Sequence, residues 1–517
     1  MAPAMASRAL NARVSGRSVR PAASSASVKS VAAPRQLGVS GKASASASAS
    51  RVCVSHARAH PRCEVGVGKA TGDVQRRGES QRCYVAKPNG SAVVMVAAGV
   101  PPAKAKKPRL PALDALRFFL IAYIATGHFV AFATPDKFLL AFFSQINVVV
   151  GAFFVISGYV AAYTSTELNA YEATMSRLEP ALKWSVARVM GFYPLFLLIQ
   201  VVFTPMFAFA DMTYNGLKAT LLHALMTFTL VQAWFPMKAE LWNAPTWFLS
   251  ALAFSMFVLP YALKPLAEMK KVGLKKAFLA LTVISCIAKL AYTYDVPGAL
   301  GLLEGMGKHP NLVFFNVMRF NPFYAVLEVL MGAVACRLVM TDNAPDRTME
   351  QRKEDGAVGA LTAPFTLAVA MVGLLAARAF AFVNGVTLPV NDMIVRGFVF
   401  IPLWCLFLMQ VHRATVSSDS NGGLTEILAK PFLVFLGGLS FPLYLLHGPL
   451  GQLFYKKVIA KQMFGATMAS YFGYKFFPVY VGITVLCSYY LTKVMAYAPF
   501  QNACKALGES TYKLLSA

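Results

Sequence analysis

The chain has 517 residues, 57% of them hydrophobic and 14% charged, with a mean hydropathy of +0.53. A soluble globular domain carries about a quarter charged residues, so a soluble fold is excluded for most of this chain. The formal charge of +26 would suit a nucleic-acid partner, but residues 1–109 alone hold 19 Lys or Arg against three acidic residues. The other 30 basic residues are scattered over short loops, with no basic patch interleaved with aromatics, so no nucleic-acid partner is expected.

The first hundred residues are rich in Ala, Ser, Arg and Val, contain no acidic residue before Glu64, and pass through the tract SASASASAS. A secretory signal would show a compact apolar segment, which is missing; the composition is that of an organellar transit peptide. Residues 1–108 are therefore predicted to be a transit peptide and disordered basic extension. The serine content points to a chloroplast membrane, with a mitochondrial or other organelle membrane, or a plain disordered tail, as alternatives. None of the eight cysteines forms a CxxC pair, so neither a metal site nor a disulfide framework is expected.

From residue 113 onward, apolar windows of about 20 residues recur, the length a helix needs to cross the hydrocarbon core. Spans are predicted at 113–133, 140–163, 188–210, 217–236, 245–263, 277–294, 321–340, 363–384, 394–411, 431–454 and 476–498. Only helices satisfy their backbone groups within one such segment. The expected fold is thus all-α, a polytopic transmembrane bundle of about 10–11 helices, with residues 109–517 as one membrane-embedded domain and the lipid bilayer as its first partner. The KAKKPR cluster, Lys104 to Arg109, places the N-terminal side of the first span toward stroma or cytosol; the internal loops balance and decide nothing. Residues 341–362 and 412–430 read as polar linkers.

The first span, LDALRFFLIAYIATGH, carries the most chemistry. Arg117 and His128 are eleven residues apart, about three turns and roughly 16 Å of rise, so they share a face. Asp114, three residues before Arg117, can pair with it. An ionisable group at membrane depth is costly and marks a functional site by default; the plainer reading of His128 is a neutral imidazole hydrogen-bonded to a neighbouring helix. Further along, GAFFVISGYV sets Ser157 among small residues, which suits close helix packing. ARVMGFYPLF opens a helix with Arg188. WNAPTWFLSALAF holds Trp242 and Trp247, a pair that suits a membrane-interface belt. SFPLYLLH puts Ser440, Tyr444 and His447 on one helix face.

In this order the segments resemble the acyltransferase 3 family of polytopic membrane O-acyltransferases. The resemblance rests on Leu113, Asp114, Leu116, Arg117 and His128; on Phe153, Phe154, Ser157 and Gly158; on Asn321, Pro322, Glu328 and Gly332; and on Ser440, Pro442, Tyr444 and His447. The chain departs from the family's pattern at Gly191, where members commonly carry an Arg, and at Leu252, where many carry a Glu. The resemblance implies transfer of an acyl group, in the simplest case acetyl from acetyl-CoA, to a hydroxyl of a carbohydrate, glycolipid or small acceptor, with no metal. Acyl-CoA is then a donor substrate and the hydroxyl compound its acceptor.

A histidine with an ordinary pKa of about 6.5 is the usual base for such a hydroxyl. His128 is accordingly the expected base, with Arg117 and Arg188 as the guanidinium groups for coenzyme A phosphates and Asp114 orienting Arg117. Ser157, Tyr444, His447, Trp247 and Glu328 are expected in supporting roles. A membrane transporter, using the same buried groups as a pathway, and a non-catalytic family descendant are the competing readings.

Overall fold

A computed structural model describes residues 108–166, 178, 180–295, 311–342, 363–386, 391–416 and 423–517. The expected transit peptide and extension lie outside the described residues, save Pro108, as do most of the linker 341–362 and the stretch 417–422. All regular elements among the described residues are helical.

Among the described residues, eight helices are long and apolar enough to cross a bilayer, nine when the bent pair α2 (Lys137–Phe143, continued by Ile146–Val149) and α3 (Gly151–Ser165) counts as one broken span. Helix α1 (Pro111–Phe129) comes first, and α4 (Ala181–Met190) follows α3. Helix α5 runs over Tyr193–Phe228 and merges two predicted spans, 188–210 and 217–236. Gly216 breaks it, with φ 77° and ψ 168°, outside the helical region. The twelve residues beyond the break rise only about 18 Å, too short to cross, and the chain continues in 3-10 turns through Trp234 and Lys238.

Next come α6 (Trp247–Glu268), α7 (Lys271–Asp295), α8 (Leu312–Phe320) and α9 (Pro322–Asp342). The series ends with α10 (Pro364–Val383), α11 (Asp392–Val416), α12 (Pro431–Tyr455), α13 (Lys457–Phe464), α14 (Phe476–Ala496) and α15 (Ala498–Ser516). Outward faces are apolar: Val201, Val202, Leu217 and Leu221 of α5, and Leu279, Val283 and Ile287 of α7, are all more than half exposed. That is the pattern of side chains meant for lipid.

The centre of the bundle is α9, where Val329, Ala333, Val334, Ala335 and Cys336 have no exposure. It crosses α3 at two reciprocal contacts. A Cβ on Gly158 would run into the backbone carbonyl of Val329, and one on Gly332 into that of Val155. Lipid offers no hydrophobic drive for helix association, so small residues that let backbones approach supply it through close packing. The two motif glycines are thus two halves of one crossing. Helices α1 and α12 run side by side in the same direction, since Gly437 abuts the Asp114 backbone and Gly451 the Phe129 ring.

Gly332→Ala is expected to lower stability by about 1–3 kcal/mol, the usual cost of overpacking. Gly373→Ala, where no atom lies within 4 Å of the added Cβ, should be neutral. Thermal unfolding midpoints of the two variants in detergent check the difference.

Candidate active site

His128 lies at the last turn of α1, and the parallel packing of α12 brings His447 beside it. His128 Nδ1 is 3.1 Å from His447 Nε2, and His447 Nδ1 is 2.7 Å from the Tyr444 carbonyl oxygen. A carbonyl only accepts, so His447 Nδ1 must carry the hydrogen and its Nε2 the lone pair. That lone pair takes the hydrogen of His128 Nδ1, and His128 Nε2 is left as the basic nitrogen. The second imidazole therefore sets the tautomer of the first, as a carboxylate does for a catalytic histidine.

Helix α12 is held for this role by groups outside it. Pro449 has no N–H, so the Leu445 carbonyl four residues earlier loses its helical partner. Asn243 Nδ2 supplies one at 3.0 Å. The Tyr480 hydroxyl donates to the His447 carbonyl (2.8 Å), and the Tyr444 hydroxyl to the Pro245 carbonyl (2.6 Å). Unpaired backbone groups cost several kcal/mol at this depth, which explains why polar side chains gather around the proline.

Two cavities meet at His128. The first, about 440 Å³, runs along α1 from Arg109, Asp114 and Arg117 past Phe153, Ser157, Trp247, Phe248 and Tyr444. At its mouth Asp114 bridges two guanidinium groups, accepting from Arg117 at 2.9 Å and from Arg109 at 3.1 Å. One positive charge is left over there. The second, about 370 Å³, begins at His128 and continues past Phe129 and Phe132 to Asp211, His223, Trp242 and Lys456. His128 and Glu240 are the two residues that line both. Glu240 is paired with Arg319 at 3.3 Å, and the Arg319 guanidinium lies over the Phe320 ring, 4.3 Å from its centroid, on the first cavity's wall.

The expected site residues are thus partly gathered. Asp114, Arg117, His128, Ser157, Trp247 and Tyr444 line the first cavity, with His447 directly behind His128. The Ser157 hydroxyl is engaged with the Phe153 carbonyl (2.7 Å) of its own helix. Arg188 lines neither cavity; it bonds to Thr164 Oγ1 (2.8 Å) and Ser165 Oγ (3.2 Å) and lies over the Trp184 ring, so it ties α4 to the end of α3. Glu328 is likewise off the cavities. It forms a two-pronged pair with Arg396, at 2.8 and 2.5 Å, and Arg396 reaches the backbone carbonyl of Asn147 at 3.4 Å. Asn147 lines the cavity, so Glu328 supports the wall at one remove. Arg396 itself sits in a π-helical turn, Val395–Phe400, a local widening frequent at functional sites.

Trp242 and Trp247 do not form an interface belt. Both are under 9% exposed, packed against Phe207 and Phe228 in one case and Phe320 in the other. Leu252, in place of a carboxylate, is part of the first cavity's apolar wall, whereas Gly191 caps α4 and lines neither cavity. The sequence reading overlooked Asp211, His223, Glu240 and Arg319. Asp211 and His223 interrupt an apolar span just as His128 does, and the same rule would have singled them out. Glu240 stands in an irregular connection, where no period marks it.

The model of the acyltransferase domain family, acyltransferase 3, matches residues 110–493. No curated protein and no solved structure matches the chain. The family match spans every helix that lines the two cavities, and the chain belongs to the acyltransferase 3 family.

Proposed function

We propose that this membrane acyltransferase moves an acyl group, acetyl in the simplest case, from acyl-CoA to a hydroxyl of a carbohydrate, glycolipid or small-molecule acceptor. The observation that carries the proposal is the lone-pair Nε2 of His128 on a ring shared by two cavities. The cavity with the cationic mouth suits the donor. Arg117 and Arg109 would meet the phosphates, and the neck lined by Phe153, Phe248 and Tyr444 would take the pantetheine arm. The acceptor then approaches His128 from the second cavity.

In the proposed reaction, His128 Nε2 takes the proton of the acceptor hydroxyl as its oxygen attacks the thioester carbonyl. The tetrahedral adduct carries a negative oxygen, and Arg319, held by Glu240 on the wall of the first cavity, is the cation proposed to stabilise it. Collapse of the adduct breaks the carbon–sulfur bond, and the departing thiolate takes the proton back from His128. The proton balance closes within the site. His447 touches neither substrate in this scheme; it positions His128 and stabilises the imidazolium.

A chloroplast membrane is the proposed location, supported by the serine- and arginine-rich first 108 residues. A fluorescent protein carrying those residues should coincide with chlorophyll in plant or algal cells, and a mitochondrial pattern would refute the assignment.

His128→Ala should insert and fold, yet lose acyl transfer from labelled acetyl-CoA by about 10²–10⁴-fold, the range of general-base contributions; wild-type rates in that variant would remove His128 as the base. His447→Ala should lower kcat with the donor KM little changed, and should displace the acid limb of the pH–rate profile, which loss of packing alone would not do. Arg117→Lys should raise the KM for acetyl-CoA several-fold at nearly constant kcat, because a point charge replaces a planar fork.

A further inference from the structure

The second cavity holds a charged cluster that the chemistry at His128 leaves unused. Asp211 and His223 stand on opposite sides of the Gly216 break in α5, and the break folds one back toward the other. His223 Nδ1 lies 2.9 Å from Asp211 Oδ2. The same carboxylate accepts from Trp242 Nε1 at 2.9 Å and from Asn215 Nδ2 at 2.6 Å, so both its oxygens are satisfied by donors. Both oxygens act only as acceptors here, as those of a carboxylate anion do.

Because Nδ1 donates to the carboxylate, His223 Nε2 carries the lone pair and accepts from Lys238 Nζ at 3.1 Å. The imidazole thus aims an ammonium group. A second ammonium, that of Lys456 just beyond α12, lines the same cavity with one long contact, 3.4 Å, to Gln452 Oε1. Burial lowers the Lys456 pKa, and the nearby Asp211 charge works in the other direction. Among the described residues, neither ammonium has a carboxylate within ion-pair distance. With Glu240 committed to Arg319, the cavity sets two ammonium groups against one carboxylate that is already fully bonded.

The backbone adds a sign of function. Trp242 has φ 52°, a left-handed conformation costly for a bulky residue. It is held there by its bond to Asp211 and by Gln452 Nε2, which donates to its carbonyl at 2.7 Å. Strain of this kind persists where the surroundings over-determine it, and here the surroundings are the cluster itself.

We infer that Lys238 and Lys456 bind an anionic group, a carboxylate or a phosphate, carried by the hydroxyl-bearing acceptor, with the Asp211–His223 pair positioning Lys238. The inference rests on the reading that the acceptor occupies this cavity. A neutral polyol would leave the half-buried Lys456 ammonium without a counter-charge, whereas an anion answers both lysines at once and lies in the same cavity as His128. Lys238 and Lys456 thereby select the acceptor without taking part in the proton transfer.

The test uses full-length protein in nanodiscs. Binding of methyl β-glucuronide, glucose 6-phosphate and uncharged methyl β-glucoside is measured by calorimetry without donor, and acetyl-CoA kinetics are followed in parallel. Wild type should bind at least one anionic sugar about tenfold more tightly than the glucoside, and which anion is preferred separates carboxylate from phosphate recognition. Lys238→Met with Lys456→Met should erase that preference, about tenfold or 1.4 kcal/mol, while leaving glucoside binding and the KM for acetyl-CoA unchanged. Lys238→Arg should keep the preference, and His223→Ala should weaken it. Equal or undetectable binding of the three sugars by wild type would overturn the inference. So would equal loss for charged and uncharged sugars in the lysine variant, or a raised KM for acetyl-CoA, which would give the lysines to the donor. Because the binding arm needs no donor, a failure of the acyltransferase reading shows separately, as transfer that survives His128→Ala.

Discussion

The hydrogen bond between His128 and His447 is the interaction on which the rest of the site depends. It joins residues 319 positions apart and exists only because α1 and α12 run parallel at close range. Its consequence is directional. A lone imidazole in a membrane could present either nitrogen, but the Tyr444 carbonyl fixes His447, and His447 fixes His128. A carboxylate in the same place would orient the ring equally well at the cost of burying a charge, which is severe at membrane depth. A neutral imidazole backed by a carbonyl gives the orientation without that charge.

The remainder of the bundle is arranged to keep this geometry. Pro449 frees a carbonyl of the partner helix, and Asn243 takes that carbonyl. Around the first cavity, Asn147 is flanked by two buried ion pairs, Glu328 with Arg396 and Asp392 with Arg378. Such pairs recover in attraction roughly what desolvation removes, so they add little to net stability. Their value lies in position: each has one satisfying arrangement, and loss of one partner would leave a charge stranded in an apolar interior. The glycine crossing of α3 and α9 serves the same end by steric means. It brings Glu328, on α9, within reach of Arg396 on α11.

Much of this was legible in the sequence, and the reason is helical periodicity. Arg117 and His128 fall on one strip because eleven residues make three turns, and Tyr444 with His447 share a face for the same reason. Most predicted spans coincide with helices to within a few residues, as apolar length alone decides them. What periodicity does not encode is which faces meet. Arg188 looks the same in sequence whether its guanidinium faces a donor or its neighbours Thr164 and Ser165, and only packing decides for the latter. As a sequence the tryptophan pair suits an interfacial belt, because amphipathic rings favour that level; two aromatic pockets bury it instead. Two spans were expected around Gly216, since the apolar run is long enough for both, but one left-handed glycine turns the second into a short return that closes a cavity wall. Glu240, in an irregular connection, had no pattern to reveal it.

The two cavities meet at His128 from opposite ends of α1, and this arrangement has a chemical consequence. A thioester at a base is open to hydrolysis unless water is scarce there, and a hydroxyl acceptor competes poorly with bulk water at its concentration. A single open cleft would expose donor and base together. On the proposed reaction each cavity is filled by its own substrate, and an acceptor in the second one takes the space water would use. The first is narrowed by Phe153, Trp247 and Phe248, side chains that offer water no partner. Glu240 and Arg319 stand where the two spaces join, so the polar groups needed for a developing charge are concentrated at one point in an otherwise apolar passage. Exclusion of water strengthens their field there. On the proposed reaction, selectivity for transfer over hydrolysis is a matter of this architecture, and the membrane-spanning fold is what makes two opposed approaches to one imidazole possible.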